Sequence, residues 1–225
     1  MIYNIELIDN HVVFFQNGLR LLLDTGSPIS ISNHSTVSVF DKTINTHKNI
    51  MGKTSIDDIN QSIENANLDA LIGADVLSKI SFSISLSNKL MEVNPIINYN
   101  EYDSFPLSNF MGIPIIFAII NEKKIKFFLD TGAKISYLNS KFLQGKNEIK
   151  EEQDFYPGFG DFQTNIYQLQ LELFNQLKKC KFGVLPESLE LSLGMGETHG
   201  IIGNNILINF DLVIDNLQNQ ILIKR

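Results

Sequence analysis

Residues 21–27 read Leu-Leu-Leu-Asp-Thr-Gly-Ser, and residues 127–133 repeat the pattern as Phe-Phe-Leu-Asp-Thr-Gly-Ala. In each copy an apolar run typical of a buried strand stops at an aspartate, Asp24 in the first and Asp130 in the second. A carboxylate at the mouth of a buried strand is costly unless it is hydrogen-bonded or serves a purpose. The duplication therefore predicts that two carboxylates meet at one site.

The similarity between the two parts of the chain extends beyond this motif. The two aspartates align at a shift of 106 residues, and at a shift of 130 residues an apolar-apolar-Gly landmark that ends at Gly73 aligns with one that ends at Gly203. Such an internal repeat predicts two similar halves that face each other. We expect an N-terminal lobe (residues 1–93), a linker without sustained periodicity (residues 94–112) and a C-terminal lobe (residues 113–225).

Short apolar segments with frequent turns predict an all-β fold. Asn17-Gly18 between two apolar runs is a strong hairpin signal. Short helices are expected only after Gly73, after Gly203 and at residues 140–144. For the polar residues 33–67 we expect loops and short strands, with a hairpin near Met51-Gly52 as one candidate.

Composition narrows the possible functions. The chain has 225 residues, 44% of them hydrophobic and 19% charged, which is typical of a globular protein. Its net charge of −7, without a long basic cluster, argues against nucleic acid or an anionic membrane as a partner. The longest apolar run, residues 113–120, is too short to span a bilayer, and the N-terminus does not resemble a signal peptide, so we expect a cytoplasmic location.

Neither a disulfide nor a metal site is expected. Cys180 is the only cysteine and cannot form an intramolecular disulfide. The histidines are scattered, and no spacing typical of metal ligands occurs among them. We therefore expect no metal and no other cofactor. The histidines in question are His11, His34, His47 and His199.

An Asp-Thr-Gly that follows an apolar strand, with an apolar-apolar-Gly landmark and a short helix further on, resembles the aspartic proteases. Two copies in one chain are similar to the pepsin-like arrangement, whereas the compact lobes and the Leu-Asp-Thr-Gly-Ala form of residues 129–133 resemble a retropepsin-like lobe. The resemblance implies an acid-protease fold with two homologous, compact, barrel-like β-lobes. It also implies a monomeric endopeptidase with a peptide or protein substrate in the cleft between the lobes.

Asp24 and Asp130 are the candidate catalytic residues. Hydrolysis of an amide by this route needs an ionised carboxylate, which takes a proton from water, and a protonated carboxyl, which polarises the substrate carbonyl. Two carboxyls at roughly 3 Å cannot both ionise, so they share one proton and titrate as a coupled pair.

The rest of each motif is expected to support this pair. The first glycines permit a turn in which backbone N–H groups reach the carboxylate, and the landmark glycines allow tight packing beneath each aspartate loop. The resemblance implies that the threonines point inward and hydrogen-bond to the opposite lobe. These supporting residues are Thr25, Gly26, Thr131, Gly132, Gly73 and Gly203.

The two motifs differ at their last position. Ser27 carries a hydroxyl that is expected to donate to Asp24, whereas Ala133 has none to offer Asp130. A donor to the charged form favours ionisation. We therefore expect the negative charge to lie mainly on Asp24.

A flap over the cleft is expected from the C-terminal lobe, which has 24 more residues between its two landmarks than the N-terminal lobe has. Residues 156–160, Tyr-Pro-Gly-Phe-Gly, combine glycines suited to a hairpin tip with aromatic rings that suit a peptide. The flap candidates are Tyr156, Gly158, Phe159 and Gly160. A plain surface hairpin is the alternative, and the flap of the N-terminal lobe, near Met51-Gly52, is expected to be short or absent.

Two other interpretations remain open. The chain could be a catalytically silent peptide-binding or regulatory protein on the same fold. Alternatively, the lobes could pair between two chains and form the site in a dimer.

Overall fold

The computed structural model of the protein describes residues 1–50, 52–157 and 159–225. The N-terminal lobe is built mainly from short strands, with two helices, α1 (Ile56–Ser62) and α2 (Ala74–Leu77). Its strands are, in chain order, β1 (Ile2–Ile8), β2 (His11–Gln16), β3 (Leu19–Leu23), β4 (Ile31–Ser32), β5 (Thr36–Val39), β6 (Lys42–Asn45), β7 (Asn49–Ile50), β8 (Thr54–Ser55), β9 (Ala70–Ile72), β10 (Ser81–Ser85) and β11 (Leu90–Val93).

The remainder of the chain has the same character and adds helices α3 (Glu187–Met195) and α4 (Asn204–Leu207). Short 3-10 turns lie at residues 99–101 and 140–142. The all-β prediction is therefore confirmed. The strands are β12 (Tyr102–Pro106), β13 (Ser108–Phe110), β14 (Ile113–Ile120), β15 (Lys123–Leu129), β16 (Tyr137–Leu138), β17 (Glu148–Tyr156), β18 (Gly160–Leu173), β19 (Gln176–Phe182), β20 (Gly200–Ile202), β21 (Asp211–Asp215) and β22 (Gln220–Lys224).

The same three-strand unit occurs in both lobes. In the N-terminal lobe β3 runs parallel to β9, and β4 pairs antiparallel with the other side of β9. In the C-terminal lobe β15 runs parallel to β20, and β16 pairs antiparallel with β20. Each aspartate follows the first strand of its unit, and each landmark glycine follows the parallel strand. This arrangement brings the residues that the repeat singled out into one place.

One sheet contains strands from both lobes. Its strand order is β12-β22-β21-β10-β11-β1-β2-β3-β9-β4, and the lobes join where β10 pairs antiparallel with β21. The segment predicted as a linker, residues 94–112, contains β12, which pairs with β22, and β13, which pairs with β14. The connection thus contributes to the sheets, and the boundaries of the lobes stay a prediction.

The predicted hairpin at Asn17-Gly18 is confirmed. It joins β2 to β3, and both turn residues have positive φ angles, 54° and 81°. These angles fit the tight turns whose twist matches that of a hairpin, and Asn and Gly tolerate them best. The candidate hairpin at Met51-Gly52 corresponds to the pairing of β7 with β8, although Met51 itself lies outside the described residues.

Two helices were not predicted, and the prediction of only loops and short strands for residues 33–67 was wrong. Helix α1 begins with a capping box, in which Ser55 and Asp58 bond each other's backbone N–H groups. Helix α3 begins after Pro186 and ends at Gly196. Both helices are stabilised by burial of one apolar edge more than by a strong helical period.

The core consists of one large cluster shared by both lobes and two smaller clusters beside the cleft. The N-terminal side cluster is built around α1, and the C-terminal side cluster lies beneath α3. The former comprises Val13, Leu22, Ile31, Ile50, Ile56, Ile59, Ile63, Ala66, Leu68 and Leu71, and the latter Ile135, Tyr137, Ile166, Leu185, Leu193 and Ile201. Among the described helices, none combines the length and the apolar character needed to cross a membrane.

Candidate active site

Asp24 and Asp130 lie together in the cleft between the lobes, as the repeat predicted. Each is fixed by the three-strand unit before it, because its backbone N–H donates to the parallel strand: Asp24 to Ile72 O and Asp130 to Ile202 O, both at 3.0 Å. The two carboxyl groups are hydrogen-bonded to each other. Two carboxylic acids, 106 residues apart in the chain, therefore form one buried pair.

The glycines of the two motifs allow this approach. A Cβ atom on Gly26 would lie 2.1 Å from the Asp130 carboxyl, and one on Gly132 would lie 2.3 Å from that of Asp24. The backbone N–H groups of Gly26 and Ser27 donate to Asp24 Oδ1 at 2.9 and 2.8 Å, and that of Gly132 donates to Asp130 Oδ1 at 2.8 Å. Any side chain in place of either glycine would separate the two carboxyls.

The threonines tie the two loops together across the cleft floor. Thr25 Oγ1 donates to Leu129 O at 2.7 Å and accepts from the backbone N–H of Thr131 at 3.0 Å. Thr131 Oγ1 donates to Leu23 O at 2.8 Å and accepts from the backbone N–H of Thr25 at 3.1 Å. All of these groups are buried. The contacts to the opposite lobe that the resemblance implied for both threonines are present.

The landmark glycines support the loops from below. A Cβ atom on Gly73 would lie 2.5 Å from Ile29 O, and one on Gly203 would lie 2.6 Å from Ala133 O. The backbone N–H of Gly73 donates to Ser30 Oγ at 2.9 Å, and that of Gly203 donates to Ser136 Oγ at 2.8 Å.

The supporting role of the two serines was not predicted. Ser30 Oγ donates to Asp75 Oδ1 at 2.7 Å, and Ser136 Oγ donates to Asn205 Oδ1 at 2.6 Å. Each serine thereby connects its aspartate loop to the helix behind it. A signal was available in the sequence, because Ser30 and Ser136 align at the same 106-residue shift as the aspartates.

Electrostatics favour a single shared proton on the pair. Burial raises the pKa of Asp24 well above its ordinary value, and repulsion from Asp130 raises it further, whereas the N–H groups of Ser27 and Gly26 oppose the rise. Burial also raises the pKa of Asp130, whereas the hydrogen bonds from the Gly132 backbone N–H and from the Asp24 side chain lower it. A pair that cannot lose both protons easily can hold one acid and one base side by side.

The expectation that the Ser27 hydroxyl donates to Asp24 was wrong. Ser27 Oγ donates instead to Ile29 O at 2.8 Å, and only the backbone N–H of Ser27 reaches Asp24. The hydroxyl is thus used to close its own turn. The argument that placed the negative charge mainly on Asp24 therefore has no structural basis.

The hairpin of β17 and β18 lies over the pair. Tyr156 and Pro157, at its end, line the cavity that contains both aspartates, and burial together with the negative charge of Asp130 and Asp24 raises the pKa of Tyr156 to about 12. Phe159 is exposed, with its ring against that of Phe162, and Gly160 has a φ of +99°. Gly158 lies outside the described residues. Of the described flap candidates, Tyr156 is the one that lines the cavity.

The cavity also contains polar residues that sequence reasoning missed. His11, Lys134, Tyr137 and Asp154 line it together with the two aspartates. They come from different strands and loops, so no short motif joins them. The one signal in the sequence was the position of Asp154, two residues before the flap candidate Tyr156, which puts both side chains on one face if this segment is a strand.

Apolar side chains form the wall of the cavity on the side of the N-terminal lobe. Ile59 of α1 and Ile63, which caps the C-terminus of α1, contribute to it together with residues of the neighbouring strands. Within the part of the chain that the structure describes, no group of His, Cys, Asp and Glu side chains is arranged to hold a metal ion. The strand residues of this wall are Leu22, Ile50 and Leu71.

No protein-family profile matches the chain. Among solved structures, it is similar to a retropepsin-like aspartic protease from Rickettsia conorii, with 21% identity over 54% of this chain and 93% of that chain, at a TM-score of 0.40. It is also similar to the EIAV protease in complex with the inhibitor HBY-793, with 21% identity over 43% of this chain and 86% of that chain, at a TM-score of 0.32.

A third similar structure is the foamy viral protease-reverse transcriptase in complex with an RNA/DNA hybrid. The identity is 16%, the TM-score is 0.35, and the match covers 43% of this chain and only 12% of that much longer chain. Each of these three structures contains a protease, and the one from Rickettsia conorii is described as a retropepsin-like aspartic protease.

Proposed function

We propose that the protein is an aspartic-type endopeptidase. The observation that carries this proposal is the buried pair of carboxyl groups, Asp24 and Asp130, which bond each other and accept backbone N–H donors at the floor of a cleft. Burying two carboxyls in contact is unfavourable for folding. A function that needs one acid and one base at the same place accounts for keeping them.

The proposed reaction is direct attack of water on the peptide carbonyl. The ionised member of the pair takes a proton from the water while the oxygen–carbon bond forms, and the protonated member gives its proton to the carbonyl oxygen. The product is a neutral tetrahedral diol, and the pair again holds one proton. Because the pair shares one proton, the mechanism does not depend on which aspartate holds it first.

Collapse of this intermediate completes the reaction. One hydroxyl of the diol returns its proton to the ionised carboxylate as the carbonyl re-forms, and the protonated carboxyl delivers a proton to the amide nitrogen as the carbon–nitrogen bond breaks. The products are a carboxylic acid and an amine, and the pair is left with one proton as at the start.

The surrounding residues favour an extended peptide as the substrate. The apolar wall that includes Ile59 and Ile63 provides a pocket for an apolar side chain beside the scissile bond. Tyr156 would cover the reacting carbonyl from the flap side and limit the access of water. Since both aspartates belong to one chain, we propose that the monomer is the active form.

The proposal is tested with a peptide library between pH 3 and pH 7, with mass spectrometry to identify the products. We expect cleavage that a pepstatin-type inhibitor blocks and that Asp24→Asn and Asp130→Asn each abolish. Asp211→Asn, which removes an exposed carboxylate on β21, is the matched control and should retain activity. Binding of peptides by a folded protein, with no cleavage at any pH, would instead indicate the catalytically silent peptide-binding protein.

A further inference from the structure

Four side chains form a polar cluster beside the aspartate pair, which we call the latch cluster: Asp9, Lys134, Tyr137 and Asp154. Asp154 lies on β17, the first strand of the flap, and is 7% exposed. The Tyr137 hydroxyl donates to its Oδ2, and the backbone N–H of Phe155 donates to its Oδ1 at 2.9 Å. Asp154 is therefore a buried carboxyl whose main partner lies outside the flap, on β16.

Lys134 connects this carboxyl to the other lobe. The Lys134 Nζ lies 3.8 Å from Asp154 Oδ1 and 3.1 Å from Asp9 Oδ2. Asp9 belongs to the turn between β1 and β2 of the N-terminal lobe. The backbone carbonyl of Lys134 accepts from the side-chain amide of Asn10 at 2.7 Å. Lys134 follows Asp130 by four residues, so one short segment carries an aspartate of the pair and the contact to the flap.

The position of the cluster determines where the flap lies. Asp154 and Tyr156 are two residues apart on one strand, so their side chains point to the same face. Phe155, between them, packs against the N-terminal side cluster across the cleft. While Asp154 stays bonded to Tyr137, the strand is fixed at a point about 7 Å from Tyr156, by the rise of about 3.3 Å per residue.

The hydrogen bond between Tyr137 and Asp154 is expected to be costly to break, because it would leave a buried carboxyl without its main partner. Burial raises the pKa of Asp154, and the Tyr137 hydroxyl and the Lys134 charge counteract this rise. A hydrogen bond to a charged group is among the stronger side-chain interactions, and a buried carboxylate that loses it is left unsatisfied. A peptide cannot reach Asp24 and Asp130 past Tyr156 unless the strand moves away.

We propose that the latch cluster holds the flap closed in the free and in the peptide-bound protein alike, and that Asp154 and Lys134 are positioning residues that set how fast peptides enter and leave. This inference rests on the proposed endopeptidase function. Because the latch is present in both states, weakening it favours the open flap equally before and after binding. Both rate constants then rise, while the affinity changes little.

The test is stopped-flow binding of a fluorescent, statine-containing peptide of the pepstatin type. Tyr137→Phe removes only the hydroxyl, and Asp154→Asn removes the charge. For each we expect the association and dissociation rate constants to rise about tenfold, with Kd within about threefold of wild type. Lys134→Gln should raise both rate constants in the same way, whereas Lys134→Arg, which keeps the charge, should bind and release the peptide as slowly as the wild type.

The matched control is Glu151→Gln, three residues before Asp154 on the same strand and exposed, which should leave both rate constants unchanged. Unchanged rates in Tyr137→Phe would overturn the latch. A rise in the dissociation rate alone, with a matching rise in Kd, would also overturn it, since it would mean that these residues contact the ligand. If Asp154→Asn does not fold, Tyr137→Phe and the Lys134 variants still decide the question.

A second readout needs no ligand and therefore separates failure of the latch from failure of the proposed function. Spin labels on Phe159→Cys, near the flap tip, and Lys53→Cys, on the N-terminal lobe, report the distance across the cleft; Cys180 is buried. Tyr137→Phe should lengthen and broaden this distance distribution. The same distribution in variant and wild type would refute the latch, whether or not the protein cleaves peptides.

Discussion

Replacing Thr25 by valine removes one hydroxyl from the centre of the molecule and leaves the shape of the side chain almost unchanged. In the folded protein this hydroxyl donates to Leu129 O at 2.7 Å and accepts from the Thr131 N–H at 3.0 Å. Thr25 is 1% exposed, so solvent cannot replace the missing group. The substitution therefore leaves one buried acceptor and one buried donor unsatisfied.

The expected loss of stability follows from these two groups. Each unsatisfied buried group costs about 1–3 kcal/mol, so Thr25→Val should lower the free energy of unfolding by about 2–6 kcal/mol. This is a large part of the roughly 5–15 kcal/mol that stabilises a typical domain. Thr25→Ser keeps the hydroxyl and loses one methyl group, which costs about 1 kcal/mol. The serine variant is thus the control for the lost hydrogen bonds.

Urea unfolding at 25 °C, followed by circular dichroism, measures the difference. We expect the valine variant to unfold at a clearly lower urea concentration than the serine variant, with the same m-value for both. Since the two hydroxyls join the aspartate loops, the valine variant should also lose more peptide-cleaving activity than its unfolded fraction explains. Equal midpoints for Thr25→Val and Thr25→Ser would refute the assigned role of the hydroxyl.

Three further predictions concern packing, pH and assembly. Gly73→Ala places a Cβ 2.5 Å from the Ile29 carbonyl oxygen and should lower the free energy of unfolding, measured by thermal unfolding, by more than about 2 kcal/mol. The control is Gly194→Ala, whose Cβ would have nothing within 4 Å and which should leave stability unchanged or raise it. A Gly73→Ala variant as stable as wild type would contradict the close packing. Burial lowers the pKa of His11 to about 4, so between about pH 6.5 and 4 the unfolded chain binds a proton that the folded chain does not. As the pH falls over that range, the free energy of unfolding of the wild type should drop by up to about 3 kcal/mol more than that of His11→Gln. If the two free energies of unfolding change in parallel with pH, His11 is not buried in its neutral form. Sedimentation should give one species at the mass of a single chain, 25.4 kDa, and a mass that rises towards twice this value with concentration would favour pairing between chains.

The features that the sequence predicted well are those with a local cause. The turn at Asn17-Gly18 needs two positive φ angles, and the close approach at Gly26 and Gly132 needs the absence of a side chain. These requirements restrict the residue type at the position itself. The position of the aspartate pair could therefore be inferred without knowledge of the rest of the chain.

The two helices show a signal that was present but not used. The 130-residue shift that aligns Gly73 with Gly203 also aligns Ile59 with Leu189 and Ile63 with Leu193, so α1 and α3 are equivalent parts of the repeat. The apolar period of either helix alone is weak, because each covers only a small side cluster. Comparing the copies would have supported both helices at once.

The contacts between distant segments had no local signal. Ser81 and Asp215 bond where β10 meets β21, although 134 residues separate them. Lys134 lies 125 residues from Asp9, and neither residue type is restricted by its own backbone. Such pairs depend on how the lobes are placed against each other, so neither the shared sheet nor the latch cluster could be predicted from the sequence.

The two lobes differ in how a hairpin turn packs on the helix behind the opposite aspartate. In each lobe a hairpin turn packs on the helix behind the opposite aspartate: Asn10 on Asn204 of α4, and Gly112 on Ala74 of α2. On the first side Asn204 donates to the carbonyls of Asn10 and Thr131 at 2.8 and 2.7 Å. On the second side a Cβ atom on Gly112 would lie 3.1 Å from Ser78 Oγ and 3.2 Å from Ala74 O, so this turn approaches the helix closely.

The residues that follow the two motifs continue this difference. Position 134 carries the lysine that faces Asp9 and Asp154, whereas its counterpart at the 106-residue shift is Pro28, which has no charge to offer a flap. Among the described residues, β7 and β8 of the N-terminal lobe have two residues each, whereas β17 and β18 of the C-terminal lobe have 9 and 14. One hairpin is enough to cover both carboxyls, since Asp24 and Asp130 lie side by side in one cavity, which Tyr156 and Pro157 also line. The asymmetry of the hairpins and that of the charged residues after the motifs therefore have a common explanation: strand β17 and the two side chains that contact its Asp154, Tyr137 and Lys134, belong to the same lobe, and Asp9 of the other lobe contacts only Lys134 among them. The proposed reaction needs both aspartates, and this accounts for a pair that is itself symmetric.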